Sequence, residues 1–86
     1  MASELRDLSQ KALEEIESCI VALLKQYPEG LRNADIADQL GLRSDMNGGQ
    51  KDYLTWSILG LLMQQRRVER VSVARGKATR SVYRVL

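Results

Sequence analysis

The side chains that most often carry enzymatic chemistry are nearly absent from this chain of 86 residues. It has no His and a single Cys, Cys19, which excludes imidazole acid–base catalysis, a Cys/His nucleophile pair and a zinc site built from Cys or His. A core of this size does not easily enclose a substrate cavity. We therefore expect a protein that is not an enzyme and that uses no cofactor, no metal and no small-molecule substrate.

The positively charged side chains are those whose number and position indicate a binding chemistry. Residues 1–65 hold six Arg and Lys against ten Asp and Glu, a net charge of −4, whereas residues 66–86 hold seven against one, a net charge of +6. The overall charge of +2 thus combines an acidic body with a basic C-terminal segment. This asymmetry favours a polyanionic partner, and a merely solvated basic surface explains it equally well.

Compartment and membrane association also follow from the residue types. A lone Cys is typical of a reducing compartment rather than of a disulfide scaffold. The longest unbroken apolar stretch, residues 20–24, is far shorter than the roughly 18 residues of a membrane-spanning helix. The first residues lack the basic and apolar regions of a signal peptide. We expect an intracellular, cytoplasmic protein with no membrane partner.

Apolar periodicity predicts two helices in the first half of the chain. In the first, about residues 4–27, apolar residues recur at spacings of three and four, and Cys19 widens this stripe as a small core residue. The second covers residues 34–40, with Asn33 as its expected N-cap and Gly41 as its left-handed C-terminal residue. Because two turns of helix are not stable alone, the second helix must pack on the others.

A third helix and a hairpin are predicted to follow. In the helix, about residues 50–65, steps of about 100° place Thr55, Ile58, Leu59 and Leu62 on one arc and Gln50, Tyr53, Ser57, Gly60 and Gln64 on the opposite one. The polar arc suits hydrogen bonds to base edges, or simply exposure to solvent. The segments 68–75 and 80–86 are rich in Val and flank the turn 76–79, which predicts an antiparallel hairpin over 68–86. The expected fold is one domain, residues 1–86, mainly α (α+β), with three helices and a C-terminal β-hairpin.

The order of these elements and three of their motifs resemble the winged helix-turn-helix family. LRNADIADQLGL (31–42) looks like the second helix of that family, YLTWSILGLLMQQRRVERV (53–71) resembles its recognition helix and the following strand, and RGKATRSVYRVL (75–86) resembles its wing. The resemblance spans about residues 10–86 and takes its specificity from the order and spacing of the motifs. It implies binding to double-stranded DNA, with the third helix in the major groove and the wing on a flanking backbone or minor groove.

The resemblance also implies DNA-binding residues, carried over by position. They are Gln50, Lys51, Tyr53, Thr55 and Ser57 on the third helix, Arg75, Lys77 and Arg80 on the wing, and Arg32 and Asn33 at the start of the second helix. The helical wheel turns Thr55 inward, unlike the other members of this set. We expect a transcriptional regulator or an accessory DNA-binding protein, associated with the nucleoid.

A protein-interaction module is the alternative function for the same fold, without direct DNA readout. Leu5, Leu8 and Leu13 extend the stripe of the first helix, and Leu54, Trp56, Leu61 and Met63 exceed what one face of the third helix can bury. Leu5, Leu8, Trp56 and Met63 are the expected interface of a homodimer, unless the first helix covers these surplus residues. Trp56 discriminates between the two functions: a buried ring belongs to the core, and an exposed ring marks an interface or a stacking surface for nucleic acid.

Overall fold

The computed structural model describes residues 2–43, 45–46, 49–50 and 52–86. In chain order its elements are helix α1 (Ala2–Lys25), helix α2 (Asn33–Leu40), strands β1 (Asp45–Met46) and β2 (Gly49–Gln50), helix α3 (Tyr53–Gln64), and strands β3 (Val68–Arg75) and β4 (Ala78–Val85). The fold is thus a small α+β domain of three helices and a long antiparallel hairpin, as predicted. Within the described ranges, no helix is both long and apolar enough to cross a membrane.

The core lies where the three helices meet one end of the hairpin. Its apolar members are Ile20 and Leu24 of α1, Ile36 and Ala37 of α2, Ile58, Leu59 and Leu62 of α3, Val68 of β3, and Val82 and Tyr83 of β4, each at most 8% exposed. Large apolar side chains of this kind contribute about 1.5–3 kcal/mol each when they are fully buried. The members from α1 and α3 include pairs four residues apart, Ile20 with Leu24 and Ile58 with Leu62, because residues at this spacing share one face of a helix.

Helix α1 is longer than the body on which it packs. Every residue from 2 to 12 is exposed, including Leu5 at 66% and Leu8 at 65%. The predicted stripe therefore covers more of the helix than the core can bury. We call residues 2–12 the arm, because they extend α1 beyond the buried part of the domain.

The inner face of α1 differs from the predicted one at two positions. Cys19 is exposed, so the prediction that it is a core residue is wrong. Glu17 is 6% exposed, and its Oε1 accepts a hydrogen bond of 3.2 Å from Nε2 of Gln65. The face that meets the core runs through Ile20 and Leu24, and Glu17 shares it at spacings of three and seven residues.

Helix α2 begins one residue earlier than predicted and uses a different cap. Arg32 occupies the N-cap position with an extended backbone and makes no side-chain capping bond. Asn33 is the first residue of the helix, and its Nδ2 donates a hydrogen bond of 2.9 Å to the carbonyl of Asp52. Its predicted role as the cap is wrong, because the fold supplies its amide with a carbonyl from a distant segment. Gly41 ends the helix at φ 69°, and this left-handed conformation confirms the prediction.

The third helix begins later than predicted. Strands β1 and β2 pair antiparallel, with Asp45 opposite Gln50, and α3 starts only at Tyr53. The prediction that Gln50 belongs to the helix is therefore wrong, and Lys51 lies outside the described residues. The predicted helix began directly after the polar, glycine-containing stretch 43–49, whereas the backbone of Gln50 pairs with that of Asp45.

The hairpin pairs eight residues of each strand, from Val68 opposite Val85 to Arg75 opposite Ala78. Its connection is the two-residue turn 76–77, shorter than the predicted turn 76–79. A contact that the sequence did not reveal adds a third segment to β4: the backbones of Leu31 and Tyr83 exchange hydrogen bonds of 3.0 and 2.8 Å. Because this pairing ties β4 to the segment that connects α1 and α2, the inner end of the hairpin is attached to the helical body.

Candidate nucleic-acid interface

An open groove lies between the start of α2, the start of α3 and strand β4. Its volume is about 480 Å³, and it is lined by Arg32, Asn33, Ala34, Asp52, Tyr53, Trp56, Arg80 and Ser81. Four of the residues predicted to bind DNA thus lie on one surface, although they come from three separate parts of the chain: Arg32, Asn33, Tyr53 and Arg80. The hairpin and the helix–helix packing bring them together.

Two exposed aromatic side chains form one wall of the groove. Tyr53 is 58% and Trp56 is 60% exposed, and their spacing of three residues makes them neighbours on the first turn of α3. Trp56 had been predicted as part of a dimer interface, and the structure brings it to the same surface as the predicted DNA-binding residues. Exposed aromatic rings offer flat apolar faces on which bases and sugars can pack.

The cation contributed by α2 is held by a carboxylate. Nε and Nη2 of Arg32 donate hydrogen bonds to Oδ2 and Oδ1 of Asp35, each 3.1 Å long. These bonds are the main reason that the pKa of Asp35 lies below its usual value; partial burial opposes the shift, and the charges of Arg32 and Arg80 add to it. The same pair raises the pKa of Arg32. Arg32 therefore has a fixed position at the groove, and Asp35 offsets its charge.

The cations contributed by the hairpin are exposed. Lys77 lies in the turn and Arg80 on β4, and neither forms an ion pair with another residue that the structure describes. Of Arg75 only the backbone, in β3, is described. Exposed cations without an ion pair among the described residues therefore lie at the hairpin turn and at the edge of the groove that β4 forms.

The base of the groove ties two helices together. The bond from Asn33 to the carbonyl of Asp52 joins the start of α2 to the start of α3. The Asp52 carboxylate is 10% exposed, and its Oδ1 lies 3.6 Å from Nε of Arg43, which compensates its charge without a hydrogen bond. Oδ1 of Asn33 and Oδ1 of Asp52 are buried and have no hydrogen-bond partner among the described residues. The starts of α2 and α3 are therefore joined at the groove by one side-chain hydrogen bond, and two acceptor oxygens beside it remain unsatisfied.

Some predicted site residues lie elsewhere. Thr55 is fully buried, and its Oγ1 donates a hydrogen bond of 3.2 Å to the carbonyl of Asp52, so the prediction that it contacts DNA is wrong. Ser57 is exposed on α3 but does not line the groove. Met63 is half-buried against the core, so the fold already accounts for this predicted interface residue. Leu5 and Leu8 lie on the arm.

Several groove residues were not identified from the sequence, namely Ala34, Asp52 and Ser81. A usable signal was present at Asp52, which is a preferred N-cap residue type and stands directly before an apolar helix. A helix that begins after Asp52 has Tyr53 and Trp56 on its first turn. No such signal exists for Ala34 or Ser81, which line the groove only through tertiary packing.

Comparison with known proteins adds no further assignment. No family model matches the chain, and no curated protein and no solved structure matches it. Among the residues that the structure describes, no cluster of three Cys, Asp or Glu side chains is arranged to hold a metal ion. The groove and the exposed hairpin beside it are therefore the features that indicate a function.

Proposed function

We propose that this protein is a winged helix-turn-helix domain that binds double-stranded DNA. The observation that carries the proposal is the groove in which Tyr53 and Trp56 of α3 share one surface with two cations, Arg32 and Arg80. Guanidinium groups complement the phosphates of a duplex, and exposed aromatic rings beside them complement its sugars and the thymine methyl groups of the major groove. The order of the elements, with an exposed basic hairpin after the third helix, supports the same proposal.

In this proposal the hairpin and the edges of the groove bind the phosphates of the DNA. Lys77 and Arg80 meet the sugar–phosphate backbone as exposed cations, and Arg32 joins them when a phosphate replaces the Asp35 carboxylate as its partner. These contacts give affinity that depends on salt and little on sequence. The acidic body, with its net charge of −4, disfavours approach of DNA from other directions.

In this proposal helix α3 contacts the bases. Its residues 53–64 include no charged side chain. The bidentate pairing of Arg with guanine is therefore not available from this helix. The hydroxyl groups of Tyr53 and Ser57 supply hydrogen bonds, and the ring of Trp56 supplies apolar contact with the methyl group of thymine. We infer that sequence preference is modest and that it favours sites containing A·T pairs. A protein of this kind serves as a transcriptional regulator or as an accessory DNA-binding protein.

The second candidate function is a protein-interaction module that does not read DNA. The exposure of Leu5 and Leu8 on the arm favours it, since exposed apolar stripes commonly mark interfaces. The two functions differ in how they respond to salt. A DNA-binding module binds a random duplex with an affinity that falls steeply as salt rises, whereas an interaction module does not bind the duplex at all.

The test compares two variants that lose the same charge, Arg80→Ala in the groove and Arg6→Ala on the arm. We expect Arg80→Ala to weaken binding to every duplex and to reduce the slope of log K against log salt by about one, because one phosphate contact is lost. Arg6→Ala should leave both unchanged. Fluorescence anisotropy of a labelled duplex measures the affinity at several salt concentrations.

An internal reporter strengthens this test. Trp56 is the only Trp of the chain, so its intrinsic fluorescence reports on the groove alone. Duplex DNA should quench Trp56 emission with the same midpoint as the anisotropy titration. An unchanged emission at saturation, or equal losses of affinity in the two variants, would place the interface elsewhere.

A further inference from the structure

A second apolar stripe runs along α1, separate from the face that meets the core. At about 100° per residue, Leu5, Leu8, Ala12 and Cys19 fall within about 60° of one another. The centre of this group lies about 110° around the helix from that of the core residues Ile20 and Leu24. All four side chains are exposed, so the stripe has no partner within the chain.

The arm needs a partner for a physical reason. The packed part of α1 already nucleates the helix, but each further turn that packs on nothing adds little stability and the end of such a helix frays. Its two exposed Leu side chains, Leu5 and Leu8, face solvent on that same segment. A partner that covers the stripe would stabilise the helix and remove these side chains from water.

We propose that the stripe pairs with the same stripe of a second copy, so that two α1 helices form a short antiparallel coiled coil and the protein is a homodimer. The stripe continues at spacings of three and four through Leu5, Leu8, Ala12, Glu15, Cys19 and Ala22, the pattern of a coiled-coil seam, and all six positions are exposed. In antiparallel register Leu8 faces Cys19 of the second copy, and Leu5 faces Ala22. This inference does not depend on DNA binding.

Charge complementarity favours a second copy of α1 as the partner of the stripe, and it favours the antiparallel orientation of the two helices. In that register Glu4 lies beside Lys25 of the second copy, and Lys11 lies beside Glu15, and the two-fold symmetry forms each pair twice. All four side chains are exposed and take part in no ion pair among the described residues. Within the seam of the antiparallel pair Glu15 faces Ala12 of the second copy, whereas parallel pairing would set Glu15 against Glu15. Opposite charges flanking a seam and like charges kept apart are what fix helix direction in coiled coils.

The charge of α1 also disfavours DNA as the occupant. Helix α1 carries five acidic side chains against three basic ones. A polyanion carries no cations and would be repelled from this surface, whereas a second copy, although its α1 has the same net charge, places Lys11 and Lys25 beside Glu15 and Glu4. The stripe is therefore a protein-binding surface, distinct from the groove.

The first experiment measures mass by sedimentation equilibrium. The wild type should be a dimer at about tens of micromolar, and Leu8→Asp should raise the dissociation constant at least about a hundredfold, because the dimer buries two copies of Leu8. Ser3→Asp introduces the same charge on the opposite side of α1 and should leave the constant unchanged. Circular dichroism checks that each variant is folded. A wild type that stays monomeric, or equal losses in the two variants, would overturn the proposal.

The second experiment tests the direction of the helices by crosslinking. In Leu8→Cys, the new thiol faces Cys19 of the other copy, so a thiol oxidant should link most of the protein into dimers. Adding Cys19→Ser should abolish the link, and mapping of the linked peptides should show residue 8 joined to residue 19. Wild-type dimers linked through Cys19 would indicate parallel helices and overturn the register. Absence of a link in Leu8→Cys would overturn it as well.

Discussion

At the scale of single residues, the pair formed by Arg32 and Asp35 decides how much charge the groove offers a phosphate. Asp35 accepts two hydrogen bonds from Arg32 and lies near Arg80. Both side chains remain substantially exposed, 46% and 37%, so solvent screens the pair and its effect on stability is small. Its larger effect is on binding, because the carboxylate competes with any phosphate for the same guanidinium.

We predict that Asp35→Asn raises the affinity for duplex DNA several-fold at neutral pH. The substitution removes a negative charge beside the groove and one of the two oxygens that accept from Arg32, so the guanidinium is held less tightly. Anisotropy titration measures the change, and Asp38→Asn, which removes an exposed carboxylate from the same helix and leaves the pair of Arg32 and Asp35 intact, is the control. A lower affinity in Asp35→Asn would mean that Asp35 orients Arg32 for the phosphate.

The same substitution has a defined pH signature in stability. Since folding lowers the pKa of Asp35, its stabilising contribution is present above the unfolded value, about 3.9, and is lost as the pH falls through the folded value. The small difference in melting temperature between the wild type and Asp35→Asn should thus be constant near neutral pH and vanish in acid. A difference that grew as the pH fell would contradict the direction of the shift.

Thr55 and Trp56 are adjacent in sequence and have opposite roles. Thr55 is fully buried and bonded to Asp52, whereas Trp56 is 60% exposed in the groove. The angle of Thr55 around the helix correctly predicts its burial. Its position in the motif that resembles the recognition helix wrongly predicts a DNA contact. Periodicity is the better guide here, because burial follows from the angle of a residue around its helix.

At the scale of the elements, the turn between α1 and α2 sets the position of the whole hairpin. Gly30 has φ 95°, and its amide donates a hydrogen bond of 2.8 Å to the carbonyl of Tyr27. A Cβ at this position would lie 2.9 Å from Cγ2 of Val82 and 3.1 Å from the carbonyl oxygen of Tyr83. The absence of a side chain at Gly30 is what allows β4 to pack against this turn and pair with Leu31.

We predict that Gly30→Ala destabilises the protein by about 2–3 kcal/mol through its left-handed backbone and the clash with β4. A loss of 2 kcal/mol corresponds to a fall of about 8–16 °C in melting temperature for a domain of this size. The control is Gly60→Ala within α3, where a Cβ meets nothing within 4 Å. It should stabilise the helix by up to about 1 kcal/mol. Similar melting temperatures for the two variants would refute the close approach at Gly30.

At the scale of the whole molecule, charge and apolar surface are segregated. The acidic helical body carries −4, and the segment from 66 to 86 carries +6, much of it on the exposed hairpin. The arm, which forms the first turns of α1, is exposed and does not pack on the core. The proposed DNA surface and the proposed dimer surface therefore lie on different elements and do not compete.

We predict that removing residues 1–11 leaves the folded domain nearly as stable as the wild-type monomer. The described residues of this segment are all exposed, so their loss should change the free energy of unfolding by less than about 1 kcal/mol. The melting temperature of the wild type should rise with protein concentration, as linkage to dimerisation requires, and that of the truncated chain should not. Thermal melts at two concentrations test both statements. A large loss of stability in dilute truncated protein would show that the arm packs within its own chain.

The sequence predicted the elements better than their contacts. Three helices, the hairpin and the left-handed Gly41 follow from local rules of periodicity, propensity and turn chemistry. The predictions failed where a side chain contacts a segment that is distant in the chain, because local rules do not include such contacts. Asn33 bonds to Asp52 instead of capping its helix, and Glu17 replaces Cys19 on the inner face of α1.

By itself, the sequence determined the element order, the segregation of charge and the lack of the side chains needed for common catalytic sites, because these properties depend only on residue types and local spacing. The tertiary structure alone decided that Tyr53, Trp56, Arg32 and Arg80 share one groove and that the first three turns of α1 have no core to cover. Both facts depend on which segments, far apart in the chain, exclude water from one another. The spacing of apolar residues does not predict which segments pack together, since the same apolar stripe can pack on a core or on a second copy of the chain.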